Sequence, residues 1–211
     1  MSEKTIYDTL IDAGLTPEGA CGLMGNMKAE SSMKSNIAQR GMTKLTDEEY
    51  TKAADNGKIN FTNDAVGYGL CQWTYHSRKR DLLQFSKNWG VSVGAEDMQV
   101  EFCLFELRES YPQLLSFLSE TQDIYTAAER VCKEYERPAV NDVETRYRYA
   151  QEFYDAYAAP AGEDENDVPQ DPIIMILQMV LSYNGYSVEI TGHKDNATLD
   201  ALQDFISVLR G

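Results

Sequence analysis

Apolar side chains recur at helical spacing along most of the chain, and this periodicity limits the fold more than any other feature. It runs from Lys4 to Tyr157, with one interruption between Gly41 and Thr74. A polar, amphipathic helix is predicted at the N-terminus, and further helices at 77–89, 97–109, 124–135 and 143–157. The chain is therefore expected to be mainly α.

The interruption has a different character. It contains Asn56-Gly57, a turn pair between polar flanks. We expect a small hairpin or loop region with short β structure here. Helices around one such region predict a domain of two lobes with a cleft between them.

A change of composition follows Tyr157. Residues 159–170 carry Pro, Gly and a cluster of acids with almost no apolar side chains, which predicts an exposed linker. Beyond it, Asp171 and Pro172 open one predicted helix, and Asn196 caps another. The predicted organisation is a domain at 1–158, a linker at 159–170 and a small helical domain at 171–211.

Net charge narrows the possible partners. The 34 acidic and 19 basic residues give −15, which repels nucleic-acid phosphates and anionic lipid surfaces. A polysaccharide ligand is compatible with this charge, because sugars are held mainly by hydrogen bonds and aromatic stacking. The N-terminus lacks a basic region followed by an apolar run, and no apolar segment approaches the roughly 20 residues that cross a bilayer. We expect a cytoplasmic, soluble product without membrane insertion, which needs another exit route to act outside the cell.

Neither cysteines nor histidines form a recognisable site. The four cysteines have no CxxC spacing and fall mostly within apolar helical patterns, so core packing is expected, with a disulfide as the alternative: Cys21, Cys71, Cys103 and Cys132. Two histidines, His76 and His193, are too few and too far apart for a metal centre. We expect neither a metal nor a cofactor.

One carboxylate continues an apolar helix face. Thr16 and Pro17 begin the helix, Leu23 and Met27 lie one turn apart, and Glu30 follows Met27 by three residues. A carboxyl so placed loses water, which disfavours its charged form and raises its pKa. It can then donate a proton to a leaving oxygen, as glycosidic cleavage requires. The alternative is a solvated glutamate paired with Lys34.

Three ordered motifs carry a family resemblance. "GLMGNMKAES", "DAVGYGLCQWTYHSRKRDLLQF" and "EYERPA" resemble successive motifs of the phage tail-type lysozymes, relatives of goose-type lysozymes and lytic transglycosylases. The resemblance spans roughly residues 6–157. It implies a lysozyme-like fold and cleavage of the β-1,4 bond between N-acetylmuramic acid and N-acetylglucosamine in peptidoglycan. By the resemblance, Glu30 matches the catalytic acid.

The resemblance also implies residues around the sugar cleft. Gln72, Trp73 and Thr74 match a motif that borders the cleft in related folds, Tyr68 shapes the turn before it, and Tyr135 matches an aromatic position near the active site. Chemically, Gln72 offers a donor and an acceptor to an acetamido group, and Trp73 offers a flat face to a pyranose ring. Core packing remains the alternative for Trp73 and Tyr135.

The second carboxylate is open. Asp64, just before "AVGYGLCQWT", is the first choice, with a turn cap as the alternative. The competitors in the preceding loop are Asp47, Glu48, Glu49 and Asp55. Without a second carboxylate, the sugar's own hydroxyl attacks and leaves 1,6-anhydro ends, as in lytic transglycosylases.

The last 40 or so residues resemble the small helical peptidoglycan-binding modules found beside cell-wall hydrolases, and packing or dimerisation is the alternative. The two resemblances together predict a muralytic enzyme whose partner is bacterial peptidoglycan. It is either a phage endolysin, released by a holin-type membrane pore, or an enzyme carried on a phage tail. A non-catalytic wall-binding or tail structural protein is the competing interpretation. It is a different class of protein, because it keeps the cleft but has no turnover.

Overall fold

The chain folds into two helical units. The structure is a computed structural model that describes residues 2–159, 172–191 and 196–210. Its units are Met1–Ala159 and Pro160–Gly211. The first contains helices α1 (Glu3–Asp12), α2 (Pro17–Ser31), α3 (Asp47–Asp55), α4 (His76–Trp89), α5 (Glu96–Ser110), α6 (Pro112–Leu118), α7 (Ile124–Arg130), a π-helix (Val131–Glu136) and α8 (Val143–Tyr157). The second contains α9 (Pro172–Tyr183) and α10 (Asn196–Arg210). The predicted mainly α class is confirmed.

Helix α2 is the centre of the first unit. It packs against α1, α6, α7, α8 and the π-helix, and every residue from Gly19 to Met27 is buried. A helix enclosed on all sides needs no polar face, in contrast to the amphipathic helices around it. Helix α2 begins where the sequence predicted. The Thr16 hydroxyl accepts a hydrogen bond from the Gly19 amide at 3.1 Å, and Pro17 occupies the first turn.

Three glycines at every third position of α2 set how closely its neighbours approach. A Cβ on Gly19 would lie 2.0 Å from the Leu118 carbonyl oxygen. On Gly22 it would lie 2.5 Å from the Ala127 Cβ. On Gly25 it would lie 2.4 Å from the carbonyl oxygen of Arg146, on α8. The glycines therefore permit close helix contact, at a cost of about 1 kcal/mol each in helix propensity.

The interruption in the helical pattern holds more helix and less β structure than predicted. Its first half forms α3, because Thr46 and Glu49 make a reciprocal capping box. Asn56 and Gly57 end this helix, with Gly57 at φ +64°, so the Asn-Gly pair marks a helix end and not a hairpin turn. Within the described residues, β pairing is confined to two isolated bridges of Tyr68, with Ala38 and with Trp73.

The predicted helix at 124–135 changes form part-way. The α-helical turns end at Arg130, and a π-helix carries the chain to Glu136. Arg137 then adopts φ +50°, a left-handed conformation uncommon outside glycine, and Pro138 prevents further helix. This widened turn decides where the side chain of Glu136 lies.

The second unit is a helix pair with a small polar centre. The Gln178 amide nitrogen donates to the Thr191 hydroxyl at 3.2 Å and to the Thr198 hydroxyl at 3.0 Å, which ties α9 to α10 and to the segment between them. Gly185 follows α9 at φ +88°. The predicted linker and the predicted capping by Asp171 and Asn196 concern residues or side chains outside the described part of the structure.

Two further predictions concern the chain as a whole. All four cysteines are buried with free thiols. In the described parts of the chain, no helix is both long and apolar enough to cross a membrane.

We predict that Gly25→Ala destabilises the first unit, although alanine is the better helix former. Overpacking against the α8 backbone should lower the free energy of unfolding by about 1–3 kcal/mol, which exceeds the gain in helix propensity. Urea unfolding measures this difference. The matched control is Ala29→Gly at an exposed position of the same helix, which should cost about 1 kcal/mol. A Gly25→Ala protein as stable as the wild type would refute the close-contact explanation.

Candidate active site

A cavity of about 620 Å³ opens where α2 ends. It is lined by the last residues of α2, the loop at 32–40, the segment at 71–75, one side chain of α4 and the end of the π-helix. Of the predicted site residues, it brings together Glu30, Gln72 and Thr74. The full lining is Glu30, Ser31, Ser32, Ile37, Ala38, Gln39, Arg40, Cys71, Gln72, Thr74, Tyr75, Arg78, Glu136, Arg137, Pro138 and Ala139.

Glu30 faces this cavity with one oxygen fixed. Its Oε1 accepts a hydrogen bond from Nη2 of Arg146 at 2.6 Å, and its side chain is 18% exposed. The partner is Arg146 of α8 and not Lys34, which the alternative interpretation of the sequence had named. The close approach of α8 to α2 at Gly25 brings Arg146 within reach of Glu30. The position of the carboxylate therefore depends on how the two helices pack.

A buried amide holds the arginine in turn. Nη1 of Arg146 donates to Oδ1 of Asn26 at 2.9 Å. The Asn26 amide nitrogen donates to the carbonyl oxygens of Gly22, at 2.8 Å, and Ala128, at 3.0 Å. Asn26 and Arg146 are both buried, so the hydrogen bonds from Asn26 through Arg146 form a rigid support for the Glu30 carboxylate.

Gln72 and Thr74 form one wall of the cavity. Gln72 has φ +44°, and its amide nitrogen donates to the Gly69 carbonyl at 3.0 Å. The Thr74 hydroxyl donates to the Gln72 carbonyl at 2.8 Å. A non-glycine residue held in the left-handed region is uncommon and clusters at functional sites.

The predicted aromatic residues lie behind this wall and not on it. Tyr68, Trp73 and Tyr135 are at most 1% exposed, so none offers a ring face to a sugar. Trp73 Nε1 and the Tyr135 hydroxyl both donate to Oε2 of Glu106, at 2.7 and 2.6 Å. A buried Trp or Tyr needs a polar partner, and Glu106 supplies it to Trp73 and Tyr135. These surroundings favour the alternative of core packing, and a role of the two residues beside the sugar cleft stays a prediction. These side chains position the wall.

Arg78 completes the cluster around Glu106. Its Nε and Nη2 donate to the two carboxylate oxygens, both at 2.7 Å, in a bidentate pair. The sequence gave no signal for Glu106, since a single glutamate on a predicted helix is ordinary. The cluster joins α4, α5 and the π-helix beneath the cavity.

Asp64 is not among the residues that line the cavity. Its Oδ1 accepts from Nζ of Lys79 at 2.5 Å and its Oδ2 accepts from the Tyr50 hydroxyl at 2.5 Å. Lys79 is fully buried and also donates to the Tyr50 oxygen and to the Val66 carbonyl, so all three of its protons are used. Burial lowers the pKa of Lys79 and the Asp64 charge opposes this. Asp64 as the second catalytic carboxylate stays a prediction, and its surroundings favour a structural task.

The cavity contains a second carboxylate that the sequence reasoning missed. Glu136, the last residue of the π-helix, lines the cavity, and its Oε1 is buried without a hydrogen-bond partner among the described residues. Burial, followed by the negative charge of Glu30, raises its pKa well above the ordinary value, while Arg78 acts in the opposite direction. A sequence signal existed, because Glu136 lies inside the "EYERPA" motif.

A smaller cavity of about 370 Å³ adjoins the first. The two share Tyr75, Arg78, Glu136 and Arg137. The smaller cavity is also lined by Phe105, Tyr111 and the buried rings of Phe102 and Tyr135, so the predicted Tyr135 lies beside this cavity. Glu136 therefore lies where the two cavities adjoin.

The chain also matches a known protein family. The family model described as phage tail lysozyme matches residues 2–157, nearly the whole first unit. The chain belongs to the phage tail lysozyme family.

A curated relative comes from a phage. Morphogenesis protein 1 of Bacillus phage B103 is 25% identical over 147 residues, which cover 66% of this chain and 34% of that protein. The chain thus spans about a third of the length of this relative. Both findings relate the chain to phage proteins, one a family of lysozymes and the other a morphogenesis protein.

We predict that Asp64→Asn mainly lowers the stability of the fold and has a smaller effect on catalytic activity. It leaves the buried Lys79 ammonium without its counter-charge, which should lower the free energy of unfolding by about 3 kcal/mol. Asp81→Asn, at the exposed pair with Arg80, should cost roughly 1 kcal/mol or less. Wild-type stability with abolished activity would instead support Asp64 as catalytic.

We predict a pH signature from Glu136. The pKa of Glu136 in the folded protein lies above the ordinary value near 4.3. The stability contributed by its protonated form is therefore complete below about pH 4.3 and is lost as the pH rises through the pKa of the folded state. Urea unfolding of the wild type and Glu136→Gln from pH 4 to 8 should show the variant gaining relative stability with pH, by about 1.4 kcal/mol per unit within that window. A difference independent of pH would contradict the assigned shift.

Proposed function

We propose that the protein is a muramidase that cleaves the β-1,4 bond between N-acetylmuramic acid and N-acetylglucosamine in bacterial peptidoglycan. The observation that carries the proposal is the placement of Glu30: a carboxylate fixed by Arg146 at the mouth of a 620 Å³ cavity, in a chain of the phage tail lysozyme family.

In this reaction Glu30 is the general acid. It gives its proton to the glycosidic oxygen of the leaving N-acetylglucosamine as the bond to C1 of muramic acid breaks. The Arg146 contact holds one oxygen still, which leaves Oε2 to meet the sugar. Oriented donors of this kind contribute because they need not be reorganised when the reaction occurs.

Gln72 and Thr74 provide polar contacts for the glycan. Both line the cavity beside Glu30, and both are held by backbone hydrogen bonds of the segment at 69–74. In the muramidase reaction they bind acetamido or hydroxyl groups. Ring faces come from the adjoining cavity, through Phe105 and Tyr75, which are 41% and 75% exposed. This role replaces the buried Trp73.

The alternative for the attacking group remains the sugar's own hydroxyl. A lytic transglycosylase would use the same acid and leave 1,6-anhydro ends. A protein that binds peptidoglycan without turnover is the competing function, and the name of the Bacillus phage relative, a morphogenesis protein, favours a role in phage assembly for that protein. For this chain, the same name favours a particle-associated muramidase over an endolysin released by a holin.

The second unit is proposed to hold the enzyme on the wall. Its α9 exposes an apolar row, and a wall-binding module would raise the local concentration of the catalytic unit on an insoluble substrate. The exposed side chains are Ile173, Ile176, Met179, Val180 and Tyr183.

Mass spectrometry of the soluble fragments released from purified peptidoglycan tests the proposed reaction. The wild type should release muropeptides with reducing muramic-acid ends, and Glu30→Gln should lower the release by at least about 100-fold, the usual contribution of a general acid. Lys34→Gln, an exposed change near the same helix end, is the control and should keep full activity. Anhydro ends would identify a transglycosylase. Sedimentation of both proteins with the wall, without any release, would support the binding protein.

A further inference from the structure

Glu136 has a position that folding alone does not explain. It ends a π-helix, a rare form that occurs frequently at functional sites, and the left-handed Arg137 with Pro138 follows directly. This geometry brings the side chain to the junction of the two cavities. Its Oε1 is buried and unpartnered in the described structure, which native proteins normally avoid.

Neither neighbouring cation is committed to Glu136. Arg78 gives two hydrogen bonds to Glu106, and Arg146 bonds Glu30 and Asn26. The charges that act on Glu136 therefore include two arginines occupied elsewhere and one facing carboxylate, Glu30.

The other titratable neighbours are thiols and a phenol. Burial raises the pKa of Cys71, Cys132 and Tyr135, so these groups are uncharged at neutral pH. The Cys103 thiol on α5 also faces Glu136. The lining of the cavity thus holds two carboxyl groups, Glu30 and Glu136, together with Arg40, Arg78 and Arg137. When two carboxyls share a site, the second charge is disfavoured, and the pair retains one proton over a wide range of pH.

We propose that Glu136 is the second carboxylate of the active site, and that Glu30 and Glu136 hold between them the one proton that Glu30 delivers to the leaving sugar oxygen. This rests on the proposed muramidase function. Glu136 is accordingly a positioning residue that acts through Glu30.

Water is the only further reagent that hydrolysis of the glycosidic bond requires. The proton of the pair moves to the glycosidic oxygen as the C1–O bond breaks, and the pair becomes doubly charged next to the positive sugar centre. Water then adds its oxygen to C1 and returns a proton to the pair. In the transglycosylase alternative, the sugar hydroxyl takes the place of water and supplies the returning proton.

Carbon-13 NMR titration of glutamate carboxyl groups tests the pair without any need for activity. Signals are assigned by their loss in Glu30→Gln and Glu136→Gln. The Glu136 carboxyl should titrate well above about 4.3 in the wild type and at least one pH unit lower in Glu30→Gln. A Glu136 midpoint that is the same in both proteins would overturn the shared proton.

The pH dependence of kcat on peptidoglycan fragments tests the catalytic role. Glu136→Gln should move the alkaline loss of activity down by at least one pH unit, so that activity above the new midpoint falls about tenfold per unit, with KM little changed. Glu136→Asp, which keeps the charge, should retain most of the wild-type profile. Glu134→Gln, at the half-exposed partner of Arg130 on the same element, is the control and should behave as wild type.

The outcomes separate the two proposals. If the wild type releases no fragments, the muramidase function fails, and the titration still decides whether the carboxyls are paired. If the wild type is active and Glu136→Gln keeps the wild-type alkaline limb, the role of Glu136 is refuted. Thermal unfolding of each variant shows whether a loss of activity reflects a loss of fold.

Discussion

The close contact between α2 and its neighbours is the constraint on which the rest of the first unit depends. Gly25 brings the backbone of α8 to within 2.4 Å of where a Cβ would stand, and Arg146 belongs to that stretch of α8. From there its guanidinium reaches Asn26 and Glu30. A wider spacing between α2 and α8 would remove Arg146 from Glu30, so the close contact at Gly25 also positions the carboxylate.

Two carboxylates outside the lining of the larger cavity are each paired with a cation, the buried Glu106 and the partly exposed Asp64. Glu106 collects hydrogen bonds from Arg78, Trp73 and Tyr135, and Asp64 collects them from Lys79 and Tyr50. Buried ion pairs contribute little net stability but are costly to break, so they fix a single arrangement of the segments they join. They keep the segment at 71–75 rigid beside Glu30. Within the described cavity lining, Glu136 is the one carboxyl that is not paired with a cation.

Much of the helical framework was predictable from local signals. The periodicity placed α4, α5 and α8 to within one residue, and Thr16 with Pro17 placed the start of α2. Helix α3 was missed because its capping box at Thr46 lies in a polar segment without an apolar stripe, and Asn56-Gly57 suits a hairpin and a helix end equally. The π-helix has no local signature, because its extra residue per turn arises from tertiary packing.

The site was less predictable, because it depends on contacts between residues far apart in sequence. Glu30 was located by its place at the end of an apolar face, but its partner Arg146 is 116 residues away. Burial of Trp73 and Tyr135 follows from Glu106, which no spacing rule identifies. Glu136 was inside a recognised motif and was passed over, because sequence alone does not distinguish a carboxyl that faces a cavity from one that faces solvent.

The proposed muramidase function requires that glycan binds in the cavity at the end of α2. Its most direct test is an NMR titration of the full chain carrying Glu30→Gln, which prevents turnover, with a soluble peptidoglycan tetrasaccharide. We expect the largest amide shifts on cavity residues, among them Gln72, Thr74 and Arg137. Shifts confined to the second unit, with none in the cavity, would contradict it.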